Sequence, residues 1–150
     1  MSMSGKTLVK SEVGPVRLDA LYHGHSGVSA ATTRVWAYDA TPPVGSWWLT
    51  PCPAIVKGRW TNKCIDIAFD GIDGRVECGS DLEFLRADRT WISSRLLHTG
   101  DAVIGASGTV RVQAHRVRDT PIASVYEIQG TCTLFDDGPV VRGSDSPCMN

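Results

Sequence analysis

Short alternating runs, closely spaced turn residues and a near-absence of helical periodicity predict an all-β fold for this 150-residue chain. Nowhere do apolar residues keep the i, i+3, i+4, i+7 spacing of an amphipathic helix for three turns without Gly or Pro interrupting. Runs with the period-two alternation or β-branched enrichment of strands take their place. In chain order they are 6–10 (KTLVK), 14–21 (GPVRLDAL), 33–39 (TRVWAYD), 47–50 (WWLT), 54–60 (AIVKGRW), 63–69 (KCIDIAF), 75–78 (RVEC), 82–85 (LEFL), 90–92 (TWI), 101–104 (DAVI), 109–117 (TVRVQAHRV), 124–129 (SVYEIQ), 132–135 (CTLF) and 139–142 (PVVR). Residues 70–74 (DGIDG), 105–108 (GASG) and 136–139 (DDGP) read as hairpin turns, because Asp and Gly tolerate the positive φ that such turns require. Only 93–101 (SSRLLHTGD) has room for a helical turn.

The longest run, 109–117, places Val110, Val112, Ala114 and Arg116 on one face, and Thr109, Arg111, Gln113, His115 and Val117 on the other. His115 is therefore expected on the solvated face. Trp36, Trp47, Trp48, Trp60 and Trp91 suit strand and core packing in a small β domain better than a ligand-stacking platform. Trp47 and Trp48 are adjacent and must point to opposite faces of a strand. One of the two is thus the first candidate for contact with a protein partner.

The length suits one domain, expected over 1–144, with 145–150 (DSPCMN) as a C-terminal tail whose Ser, Asp and Pro disfavour regular structure. A formal charge of -1, with Lys and Arg spread along the chain, supplies no basic footprint for nucleic acid. No apolar run reaches the ~20 residues of a spanning helix, and the N-terminus lacks the apolar core of a signal peptide. A cytoplasmic or virion-associated setting is expected, with neither membrane nor nucleic acid as partner. The five cysteines are odd in number, irregularly spaced and free of any C-x-x-C, so neither a disulfide framework nor a zinc knuckle is indicated. His23 and His25 form an H-G-H pair that reads as an exposed loop, since structural zinc needs about four ligands and no second cluster accompanies them. No cofactor and no metal are expected.

Five segments in order resemble the motifs of the Hint fold shared by inteins and hedgehog autoprocessing domains. Residues 2–9 (SMSGKTLV) are similar to the opening intein strand, a Cys followed by x-x-Gly-x-Thr-x-Val. Residues 14–21 resemble the Gly-x-x-x-Ile-x-x-Leu element, and 76–85 (VECGSDLEFL) the strand that carries Thr-x-x-His. Residues 89–103 (RTWISSRLLHTGDAV) resemble the Trp-containing segment that ends in Gly-Asp-x-Val. Residues 125–144 (VYEIQGTCTLFDDGPVVRGS) resemble the closing hairpin with its Val-Tyr-Asp-Leu, Thr-His-Asn-Phe and final His-Asn. The resemblance covers nearly the whole chain and implies a compact horseshoe of short strands without an endonuclease insertion.

The catalytic positions that this resemblance implies are then read one by one. Ser2 stands where the family's first nucleophile attacks the preceding carbonyl. Gly79 and Leu82 stand where Thr and His would polarise the scissile amide, and neither side chain can move a proton. Cys132 replaces the hairpin's His, Glu127 keeps the carboxylate of the family's Asp, and Ser144 takes the downstream nucleophile position. Arg142 and Gly143 stand for the terminal His-Asn; Gly143 has nothing to cyclise, and Arg cannot shuttle protons with a pKa above ~12. In an alternative register Asn150 is the cyclising residue after Met149, which would make the Pro147-containing segment 145–150 a strand.

The resemblance with these replacements implies a Hint-fold protein that has lost splicing and works as a structural or binding module. Protein partners or self-assembly follow from that reading, with a phage particle as one setting. The competing expectation is an active autoprocessing domain using Ser2, Cys132 and Asn150. The third is an unrelated β barrel or sandwich with His23, His25 and Asp39 at a small-molecule site.

Overall fold

The structure, a computed structural model, describes residues 3–39, 46–58, 64–119 and 124–143. In chain order its elements are β1 (Met3–Ser4), β2 (Leu8–Ser11), β3 (Gly14–Arg17), α1 (Leu18–His23), β4 (Arg34–Asp39), β5 (Ser46–Pro51), β6 (Ile55–Gly58) and β7 (Cys64–Phe69). There follow β8 (Arg75–Cys78), β9 (Leu82–Leu85), β10 (Trp91–Ser93), a 3-10 turn (Ser94–Leu96), β11 (Ala102–Gly105), β12 (Gly108–Arg118), β13 (Val125–Ile128), β14 (Thr131–Thr133) and β15 (Val140–Gly143). The all-β expectation holds, and the 3-10 turn falls inside the segment reserved for one.

The strands form three antiparallel sheets, ordered β11-β12-β7-β8-β1-β13-β6, β10-β9-β15-β14 and β3-β2-β4-β5. Single bridges stitch them together: Val9 to Leu134, Arg86 to Val103 and Gly105 to Pro139. Thr131 adds a side-chain stitch, its hydroxyl accepting from the Tyr38 N–H and donating to the Tyr38 carbonyl, each at 3.1 Å. β7 lies inside the large sheet with apolar or paired groups on both faces. Its neighbour β8 carries the alternation that a half-exposed strand needs. One continuous core joins Met3, Leu18, Ile67, Phe69, Leu82, Phe84, Tyr126, Cys132 and Leu134.

Three local readings need correction. Residues 18–23 are helical, not the end of a strand: Leu18 and Leu21 share the buried face, and Gly24 closes the helix at φ 74° with its N–H donating to the Ala20 carbonyl. At six residues α1 is too short to show the periodicity that betrays longer helices. Second, β12 is bulged between Val112 and Ala114, which reverses the side-chain phase. His115 consequently lies opposite Ile67 on the core face, half-buried, and its Nε2 is 2.8 Å from the Ser94 carbonyl. That oxygen can only accept, so the contact requires the proton on Nε2. Third, the positive φ of the 135–139 turn falls on Phe135 (58°). Gly138 is needed there for space, because a Cβ would run into the Leu134 carbonyl.

Candidate functional site

Both ends of the described chain converge on one short segment. Cys78, at the end of β8, pairs across the sheet with Met3 of β1; Leu82, at the start of β9, pairs with Gly143 of β15. The intervening turn is closed by the Leu82 N–H on the Gly79 carbonyl. That carbonyl also accepts the buried Ser94 hydroxyl at 2.8 Å, and Ser94 in turn is held by His115. A layout that brings an N-terminal strand and a C-terminal strand to one place is what joining or cutting at both termini requires.

Of the residues there that the resemblance places at catalytic positions, Leu82 is apolar and Gly79 and Gly143 carry no side chain. Leu82 is fully buried in the main core and Gly79 is buried beside it. Arg142 is turned away into an ion pair, its Nε 2.9 Å from Glu83 Oε1 and its guanidinium stacked 4.4 Å from the centroid of the Trp91 ring. Cys132 pairs across the hairpin with Val141 and is fully buried; burial, with the nearby Cys52, pushes its thiol up to about 12. The group therefore stays protonated and non-nucleophilic at neutral pH. Burial pushes the Cys78 thiol up as well. Ser2, Ser144, Asn150, Trp60 and the tail 145–150 lie outside the described residues.

Trp47 and Trp48 do point apart. Trp47 packs on Tyr38 with ring centroids 4.3 Å apart and donates from Nε1 to Thr133 Oγ1 at 3.3 Å, whereas Trp48 is 45% exposed. Trp36 carries Lys10 over its ring. His23 and His25 are exposed and stacked at 5.4 Å, and His23 Nε2 shares a hydrogen bond of 3.2 Å with Tyr126 Oη.

The sequence reading missed one constellation. On the other face of the large sheet, Cys64, Asp66 and Glu77 bring their ligand-type atoms within 4.8 Å of one another. Arg118 already occupies the centre, Nη2 donating to Cys64 Sγ at 3.1 Å, Asp66 Oδ1 at 2.9 Å and Glu77 Oε2 at 2.9 Å. Its Nε is 2.7 Å from Asp66 Oδ2 without being aimed at it. Burial pushes the Cys64 thiol up to about 11, and the adjacent Asp66 carboxylate works in the same direction. Arg75, 4.0 Å from Asp66 Oδ2, supplies the second cation, so two guanidinium groups face the two carboxylates. The alternation of 64–69 with 75–78 could have suggested it only if the pairing of β7, β8 and β12 had been known.

No protein-family model and no curated protein matches the sequence. Solved structures do. A bacterial intein-like domain from Clostridium thermocellum is similar with a TM-score of 0.76 at 17% identity, over 95% of this chain and 98% of that one. The TvoVMA intein gives a TM-score of 0.71 at 14% identity, over 93% and 96% of the two chains. The DnaX mini intein from Spirulina platensis gives 0.71 at 13%, over 95% and 100%. A fold shared over nearly the full length of both partners, with both ends of the described chain converging on the β8–β9 turn, defines the architecture: the Hint fold of intein and intein-like domains. At these identities the likeness establishes the architecture and leaves the activity to be argued from the residues. No helix among the described residues is long and apolar enough to cross a membrane.

Proposed function

We propose that this Hint scaffold has lost self-splicing and serves as a structural or binding module, with assembly into a larger particle such as a phage virion as the setting. The observation that carries the reading is the Leu82–Gly143 pair. The two positions face each other across β9 and β15 where the resemblance expects an acid–base His and a cyclising Asn. A fully buried leucine contributes packing and no proton, and a glycine contributes no amide to cyclise. Cys132 offers no substitute, since its thiol is sealed in the core. Expression between two reporter domains tests the loss of splicing: the reading expects one stable precursor band, and a ligated or cleaved product reinstates an autoprocessing domain built on Ser2, Cys132 and Asn150. Gel filtration and cross-linking test the assembly role, against which a chain that stays monomeric with every candidate partner would argue.

A further inference from the structure

We infer that the outer edge of β5 is a self-association surface, on which a second copy of this chain adds its own β5 antiparallel across a twofold axis at Trp48. β5 closes one side of the β3-β2-β4-β5 sheet and is paired only with β4 among the described residues. Which of its backbone groups are open follows from β4. The Tyr38 N–H and carbonyl both turn to the Thr131 hydroxyl, and the Arg34 N–H and carbonyl both turn to Glu12, all on the side away from β5. Trp36 between them shares their phase. In an antiparallel ladder such residues belong to pairs that exchange no hydrogen bond, and both members direct their backbone groups outward. Tyr38 pairs with Trp47, Trp36 with Leu49 and Arg34 with Pro51. Trp47 and Leu49 therefore present N–H and carbonyl groups to the open edge, and Pro51 presents a carbonyl alone.

A second copy is the occupant that these groups and this sequence fit. Under a twofold at Trp48, Trp47 faces Leu49 of the second copy and Leu49 faces its Trp47, so both pairs exchange N–H···O bonds and each outward N–H finds an acceptor. Trp48 then meets its own counterpart in the intervening non-bonded pair, where Cα atoms approach to about 4.5 Å and side chains lie close together. Its indole, 45% exposed in the single chain, is covered there by the second indole. A twofold also sets each residue near its own kind, so a charged edge repels its copy. From Ala40 to Val56 the chain has no charged residue. The other sheet edges are guarded or occupied: β3 and β6 carry Arg17 and Lys57, β14 is stitched to Tyr38, β11 is bridged at Arg86 and Pro139, and β10 has only three residues.

This names a partner for the assembly reading and rests on that half of the proposed function alone; the loss of splicing plays no part in it. A six-residue strand buries little area, so a reversible dimer that dissociates on dilution is expected.

Sedimentation velocity of the full chain, over a concentration series reaching the millimolar range, is expected to show a monomer–dimer equilibrium. Trp48→Lys sets two ammonium groups face to face at the axis and is expected to weaken the dimer about tenfold or more. The side chain it replaces is half exposed, so the variant is expected to melt with the native chain. Trp48→Cys reads the register directly: its two Cα atoms lie within disulfide reach across the axis, so mild oxidation is expected to link it into a dimer above the background of the native cysteines. Ser46→Cys, placed opposite Thr50 of the second copy, is expected to stay at that background. A native chain that remains monomeric throughout overturns the inference, even where β5 takes up the strand of another protein and so keeps an assembly role. A dimer that Trp48→Lys leaves untouched, or linking of Ser46→Cys as fast as Trp48→Cys, overturns this surface while self-assembly itself survives.

Discussion

Leu82→His returns to the chain the imidazole that the Hint resemblance expects, and the structure sets its cost. Leu82 is fully buried in the apolar core, opposite Gly143. Removing a fully buried leucine side chain forfeits about 1.5–3 kcal/mol of burial. Placing an imidazole without partners in its stead adds about 1–3 kcal/mol of desolvation. The two are similar in volume, so a cavity adds little, and the sum is roughly 3–6 kcal/mol. For a chain of this length each kcal/mol moves the melting temperature by about 2–4 °C, so the variant is expected to melt roughly 6–24 °C lower. Thermal unfolding by circular dichroism and urea midpoints for Leu82→His beside Leu82→Ala would measure it, the alanine variant losing about 2–5 kcal/mol. A histidine variant as stable as the native chain would refute the reasoning, because position 82 would then still be an open, solvated cleft able to host a catalytic base.

Other consequences are open to direct measurement. Cys132 should resist alkylation in the folded chain: with its thiol near 12 the thiolate fraction at pH 8 is smaller than that of an ordinary cysteine by a factor on the order of 10³. Site-resolved mass spectrometry checks this, and labelling of Cys132 at the rate seen in urea contradicts it. Arg17, bonded to Asp19 through two donors, holds that carboxyl below the usual range. A depressed carboxyl adds stability that is fully present above about pH 4 and is lost as pH falls through its folded value. Urea midpoints of native and Asp19→Asn should therefore differ at neutral pH and converge in acid, with a smaller gap in high salt because Arg17 is half exposed. Gly138→Ala should destabilise by about 1–3 kcal/mol through the Leu134 carbonyl, whereas Gly71→Ala, with nothing near its Cβ, meets only the cost of a left-handed backbone.

Much of the architecture was legible because it rests on local chemistry. Alternation marked strands such as β4, β7 and β13, and the glycines at 71, 74 and 108 do take the positive φ that their turns demand. What was not legible depends on partners far away in sequence. The bulge in β12 shows in no local pattern, yet it decides that His115 faces Ser94 and not solvent. Arg118 reads as one more surface cation until β12 is laid beside β7 and β8. The convergence of Met3 and Gly143 on residues 78–82 shows in no local pattern, since no spacing rule links positions so far apart. The outward phase of Trp47 and Leu49 on β5 required coordinates outright.

The central claim is a splicing scaffold without splicing chemistry. Intact mass after long incubation of the chain fused between two unrelated reporter domains tests it most directly, with and without a thiol or hydroxylamine challenge to reveal any ester intermediate. The account predicts a single mass equal to the uncleaved precursor under every condition. Ligated reporters, an excised domain or a challenge-dependent cleavage at either junction would contradict it.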